Sequence, residues 1–192
     1  MGLAVASEAA LLVIDVQKGF DDPSWGRRNN PVLEARIAEL LAAWRGANRP
    51  VLHARHMSTL PASPLRPFQR GNEFKPDAAP QTGERVIEKR VNSCFIGTPL
   101  DEELRRSGIA GLVLAGLTTN HCVSTTARMA GNLGYAVWVV SDATAAFDRK
   151  GPDGVLYPAS LVHAMALSDL HGEFADVVDT RTLLAEAGRR RA

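Results

Sequence analysis

A thiol, a carboxylate and an ammonium stand at three points of this 192-residue chain where one kind of element gives way to another, and together they could cleave an acyl bond. Cys122 follows Thr118, Thr119 and Asn120, residue types that favour helix N-caps, and precedes Val123 to Ala130, which places it in the first turn of a helix. Amides at a helix start stabilise a thiolate and can point at a developing oxyanion. Taken alone, a cysteine reads more readily as a small buried apolar residue than as a nucleophile. Asp15 closes the apolar run Leu11 to Ile14, where it could cap the next turn through the amides of Gln17 or Lys18, or take a proton from a thiol. Lys89, after Val86-Ile87-Glu88, is by type a solvated strand-end lysine; beside a carboxylate and a thiol, its ammonium would favour both anions and hold them in line.

The elements that must position these groups are written in the hydrophobic pattern. Apolar runs at Leu11 to Ile14, Val51-Leu52, Val86-Ile87, Leu112 to Leu114, Val137 to Val140 and Ala175 to Val178 suit buried strands. Amphipathic stretches at Pro31 to Arg45, Leu100 to Arg106, Ser124 to Leu133 and Ser160 to Leu170 read as helices. Their alternation predicts a single α/β domain over residues 1–192, a three-layer, doubly wound, Rossmann-like fold with a mostly parallel sheet of about six strands. Ligands in such sheets bind beyond the carboxyl ends of the strands, which is where Asp15, then His53, Arg55 and His56, then Lys89, and then Gly116 to Cys122 fall. The segment Met57 to Gly83, with Pro61, Pro64, Pro67, Pro76 and Pro80, has no period and is expected to cover the site or to pack a subunit interface.

Bulk properties narrow the partners. The 22 basic and 21 acidic residues are spread along the chain, which argues against nucleic acid or an anionic membrane and for a small soluble partner. The basic run Arg189-Arg190-Arg191 reads as a solvated end. Two cysteines are too few for a disulfide scaffold, and neither a signal peptide nor a membrane span is recognisable, so a cytoplasmic protein with free thiols is expected. Cys94 is read as packing, and His121 is given no acid–base duty.

Three blocks carry a family resemblance: Asp15 in Leu-Val-Ile-Asp-Val-Gln, Lys89 in Val-Ile-Glu-Lys-Arg-Val-Asn-Ser, and Gly116 to Val123 in Gly-Leu-Thr-Thr-Asn-His-Cys-Val. In this order they resemble the signature of the isochorismatase-like cysteine hydrolases, which include nicotinamidases, N-carbamoylsarcosine amidases and ureidoacrylate amidases. The resemblance implies an Asp15–Lys89–Cys122 triad, a non-proline cis peptide between Leu117 and Thr118, an oxyanion hole of the Thr118 and Cys122 amides, and a homo-oligomer. Its implied substrate is a small amide or ureido compound cleaved at a C–N bond through a thioester. Some members lack the cysteine and hydrolyse a vinyl ether by acid catalysis; retention of Cys122 favours the amide chemistry. A vinyl ether hydrolase using Asp15 as acid and a catalytically silent binding protein are the competing readings. The nicotinamidase branch holds a metal with an Asp-x-His pair, whereas this chain has His53-Ala54-Arg55-His56 there, so no metal or other cofactor is expected. Phe20 and Trp25 are candidate walls for a planar substrate, and Arg55 and His56 are candidate substrate contacts.

Overall fold

The computed structural model describes residues 9–189; Arg190 and Arg191 of the basic run lie outside the described residues. One sheet is formed by six parallel strands: β1 (Ala10–Ile14), β2 (Val51–His56), β3 (Arg85–Lys89), β4 (Gly111–Leu117), β5 (Ala136–Ala145) and β8 (Asp176–Val178). Their order across the sheet is β3-β2-β1-β4-β5-β8. That order reverses between β1 and β4, and the crevice at such a reversal is the natural ligand site of an open α/β sheet. Helices α1 (Leu33–Gly46), α2 (Leu100–Arg106), α3 (Ser124–Asn132), α4 (Ala159–Ser168) and α5 (Thr180–Arg189) complete the layers.

Strand alternation divides the core in two. Leu11 and Val13 of β1 join Val113 and Ala115 of β4 on the face covered by Leu33, Ile37, Leu40 and Trp44 of α1 and Leu183 of α5. Ala10, Leu12 and Ile14 join Leu112 and Leu114 on the face covered by Leu100 and Leu104 of α2 and Ala127 and Ala130 of α3. The central strands pack so closely at the reversal that a Cβ on Gly116, whose φ is +122°, would sit 2.0 Å from the Ile14 carbonyl oxygen. A glycine is required there.

Two elements lie outside the sequence expectation. One is α5. The other is a short antiparallel hairpin, β6 (Arg149–Lys150) with β7 (Leu156–Tyr157), whose strands are too short to show a period. The proline-rich segment has no strand or α-helix, but it is built: 3₁₀ turns at Arg70–Asn72 and Pro76–Ala78 punctuate it, and buried Asn72 donates to the carbonyls of His56 and Leu65. No helix among the described residues is long and apolar enough to cross a membrane.

Buried Lys75 fastens that segment to the domain, donating to Asp21 and, at 2.8 Å, to Glu34 of α1, which also receives Arg28. Burial opposes the Glu34 charge, yet these hydrogen bonds hold its pKa down at about 2 from 4.5. Burial likewise opposes the Glu84 charge, and Arg45 and the Gln81 amide hold that carboxyl at about 2. Both groups bind protons less readily folded than unfolded, so their stabilisation is complete above pH about 4.5 and is lost as pH falls toward about 2. Urea midpoints should therefore drop steeply across this window, and Glu34→Gln should be less stable at neutral pH and show a flatter acid limb. A wild-type midpoint unchanged down to about pH 3 would contradict the assignment.

Candidate active site

Beyond the carboxyl ends of β1 and β4 lies a cavity of about 240 Å³ lined by Asp15, Phe20, Trp25, His56, Leu65, Asn92, Thr118, His121 and Cys122. Strand parity alone would send Asp15 to the face of Leu11 and Val13. A left-handed φ of 54° ends β1 there instead, and the carboxylate meets Lys89. Lys89 is the last residue of β3 and is paired in register with His56, the last of β2, so the two side chains share a face at the rim of the sheet. Lys89 Nζ donates to Asp15 Oδ2 at 2.6 Å, His56 Nδ1 at 3.2 Å and the Val91 carbonyl at 3.3 Å, which uses the whole ammonium. Asp15 and Lys89 are both fully buried at the side chain, and Asp15 Oδ1 has no partner. A buried carboxylate oxygen without a donor demands an explanation, and a proton-accepting role supplies one.

Cys122 lies in a π-helical turn, Thr119–Val123, that leads into α3, rather than in the first turn of the α-helix itself. The Thr118 carbonyl accepts from the amides of His121 and Val123, so this wide turn passes over the Cys122 amide between them. The Leu117–Thr118 peptide is cis. One ligand atom each from Asp15, His56 and Cys122 lie within 4.8 Å of one another, and Cys122 Sγ is 3.8 Å from Asn92 Oδ1.

The electrostatics correct one expectation. A helix start on its own lowers a thiol pKa; instead burial, followed by the Asp15 charge, pushes the Cys122 thiol up, with Lys89 only partly opposing. Burial is the largest influence on Lys89 and opposes its charge, but the charge and hydrogen bond of Asp15, together with the two nearby cysteine sulfurs, outweigh it and hold the ammonium above its ordinary range. At rest the site therefore holds an ion pair beside a neutral thiol. His56 is kept neutral by burial and by Lys89, and because an ammonium only donates, its Nδ1 accepts and its Nε2 carries the hydrogen.

Of the candidate substrate contacts, Phe20, Trp25 and His56 reach the cavity, and Arg55 does not. Phe147 packs against Phe20 and Trp25 at ring-centroid distances of 6.1 and 5.6 Å, forming an aromatic wall. Arg55 lies opposite Glu88 in the β2–β3 register, pairs with it and stacks on Phe74, because neighbouring strand residues point to opposite faces. His53 is turned away for the same reason and binds Glu84 at 2.9 Å, so the two imidazoles of β2 do not converge. A cation is poorly served by the remaining donors: the Lys89 ammonium already occupies Asp15 Oδ2 and His56 Nδ1. Sequence reasoning missed Asn92, Leu65 and His121. Asn92 carried one usable signal, its place three residues beyond Lys89 in the same post-strand block, and Leu65 carried none.

Because Cys122 rests as a thiol, its alkylation by iodoacetamide should still accelerate from about pH 7 to about pH 9. Cys94, fully buried and pushed to about 12 by burial, should stay unmodified. Mass mapping of the alkylated peptides reads both, and a Cys122 rate already at its plateau at neutral pH would contradict a resting neutral thiol.

Comparison with known proteins gives the same frame. The family model for the isochorismatase domain matches residues 9–182. An uncharacterized isochorismatase family protein of Bacillus subtilis, YrdC, is 44% identical over 91% of this chain and 94% of its own. Nicotinamidase 3 of Arabidopsis thaliana is 31% identical over 89% of this chain and 84% of its own. A crystal structure described as an isochorismatase-family hydrolase from Chromobacterium violaceum superposes with a TM-score of 0.93 at 45% identity, covering 96% of each chain. With its six-stranded sheet and with matches of this extent, the chain belongs to the isochorismatase family of hydrolases.

Proposed function

We propose that the protein hydrolyses the C–N bond of a small amide or ureido compound through a thioester on Cys122. The observation that carries this reading is the half-satisfied carboxylate: Asp15 Oδ2 is held by Lys89 at 2.6 Å while buried Oδ1 has no partner, beside the Cys122 thiol. A relative named as a nicotinamidase supports the bond type, and the aromatic wall of Phe20 and Trp25 suits a flat ligand. Retention of the thiol speaks for acyl transfer over protonation of an enol ether, which needs none.

In this mechanism Asp15 Oδ1 takes the thiol proton as sulfur attacks the carbonyl carbon. The oxyanion accepts from the Thr118 and Cys122 amides. Collapse breaks the C–N bond, and the proton on Asp15 passes to the leaving nitrogen. Water then gives a proton to Asp15 and adds to the thioester; the C–S bond breaks, the acid departs, and sulfur recovers its proton. Lys89 stays an ammonium throughout and keeps Asp15 oriented, since its high proton affinity makes it a poor acid.

Screening primary amides, ureido acids and cyclic amides for released ammonia or amine identifies the substrate. On that substrate Cys122→Ala should lose at least about a thousandfold in kcat, and Asp15→Asn about a hundred- to ten-thousandfold. Single-turnover mass spectrometry should trap an acyl group on Cys122. Near-full turnover by Cys122→Ala would overturn the thioester route.

A further inference from the structure

A second polar chain, which the Asp15–Lys89–Cys122 chemistry leaves unused, runs from outside the cavity to its wall. His121 precedes the nucleophile, and its ring nitrogens have different neighbours. Nε2 faces Arg149 Nη1 at 2.7 Å, with Asn120 Nδ2 at 3.5 Å, while Nδ1 faces Thr118 Oγ1 at 3.1 Å. A guanidinium has hydrogens to give and no lone pair to receive them, so Nε2 must accept. A ring that accepts at Nε2 carries its single hydrogen on Nδ1 and donates it to Thr118 Oγ1. The Thr118 hydroxyl, having accepted, keeps its own hydrogen for another partner. Thr118 is buried and lines the cavity beside Cys122, so that hydrogen is available to a group that enters the cavity.

Arg149 is unusual in this arrangement. It lies on β6, outside the cavity, and its guanidinium donates to an imidazole nitrogen. Its exposed hairpin is tied by hydrogen bonds. Arg149 is in register with Tyr157, the Gly151 amide donates to the Val155 carbonyl at 2.8 Å, and the neighbouring Asp148 accepts from the Ala159 amide at the start of α4 at 2.8 Å and from Arg27. Burial first, and then the Arg149 charge, disfavour the imidazolium, in keeping with a neutral ring.

We propose that Arg149 is a positioning residue that holds His121 as the neutral Nδ1–H imidazole and so commits the Thr118 hydroxyl to donate into the cavity, where it recognises an acceptor on the substrate beside the carbon attacked by Cys122. The substrate clause rests on the amide-hydrolase reading; the placement of the ring hydrogen does not. The chain selects acyl groups that carry an oxygen or nitrogen lone pair at that position, and analogues that present a C–H there leave the hydroxyl unpaired.

Two measurements on the full chain decide this. Long-range ¹H–¹⁵N spectra of histidine-labelled protein near neutral pH should show His121 as the Nδ1–H tautomer, and Arg149→Met should abolish that preference. Pyridine-2-carboxaldehyde labelled with ¹³C at the carbonyl supplies the second, its ring nitrogen being the acceptor beside the attacked carbon: it adds to the thiol, forming a C–S bond while the thiol proton passes to the carbonyl oxygen. Thr118→Val and Arg149→Met should each weaken the adduct about tenfold, Thr118→Ser should restore it, and the double variant should be no weaker than the weaker single one, as expected of one chain of hydrogen bonds. A wild-type ring found as Nε2–H or doubly protonated, a tautomer unmoved by Arg149→Met, or additive losses would overturn the proposal. Failure of the wild type to form any adduct would instead sink the thiol reading and the substrate clause with it, and the ring spectra would then decide the Arg149 assignment alone.

Discussion

The ion pair between Asp15 and Lys89 sets the terms for everything around it. Withdrawing a carboxylate and an ammonium from water costs several kcal/mol for each ion, and their attraction offsets this only when the remaining donors and acceptors are filled. Here the filling is lopsided. His56 and the Val91 carbonyl complete the ammonium, while one carboxylate oxygen stays bare. The surrounding structure thus fixes the cation completely and leaves the anion one donor short, with a free lone pair next to the Cys122 sulfur.

That lopsidedness depends on topology. Lys89 and His56 end adjacent parallel strands in register, Asp15 ends the next one through a left-handed residue, and Cys122 follows the strand beyond the order reversal. Gly116 allows β4 to approach the Ile14 carbonyl more closely than any side chain would permit. Gln17 then ties the rim together: its Oε1 accepts from the His56 amide at 2.8 Å, and its Nε2 donates to the carbonyls of His56 and Asn72. A buried amide side chain with three backbone partners makes the β2 terminus and the loop beyond it one rigid rim.

The layered fold was legible because its evidence is local: apolar runs and helical periods survive in sequence whatever packs on them. The Asp15, Lys89 and Cys122 blocks were legible for a different reason, since each sits where an element ends. What escaped notice was set by pairing across the chain. Whether Arg55 or His56 faces the cavity depends on the β2–β3 register, and only the structure gives it. The thiol was misjudged because its helix-start position suggests a stabilised anion, whereas burial and a neighbouring carboxylate, invisible in sequence, act the other way. The hairpin bearing Arg149 has strands of two residues each, too short for alternation to register.

Leu65 reaches the cavity from the proline-rich segment, whereas Asp15, Lys89 and Cys122 come from the sheet rim and the turn after β4. The segment is secured elsewhere, by Lys75 against Asp21 and Glu34. Roof and proposed reaction centre therefore come from separate stretches of the chain. Rewriting the stretch around Leu65 can reshape the chamber and change what is admitted, while the groups proposed to carry out the cleavage keep their places.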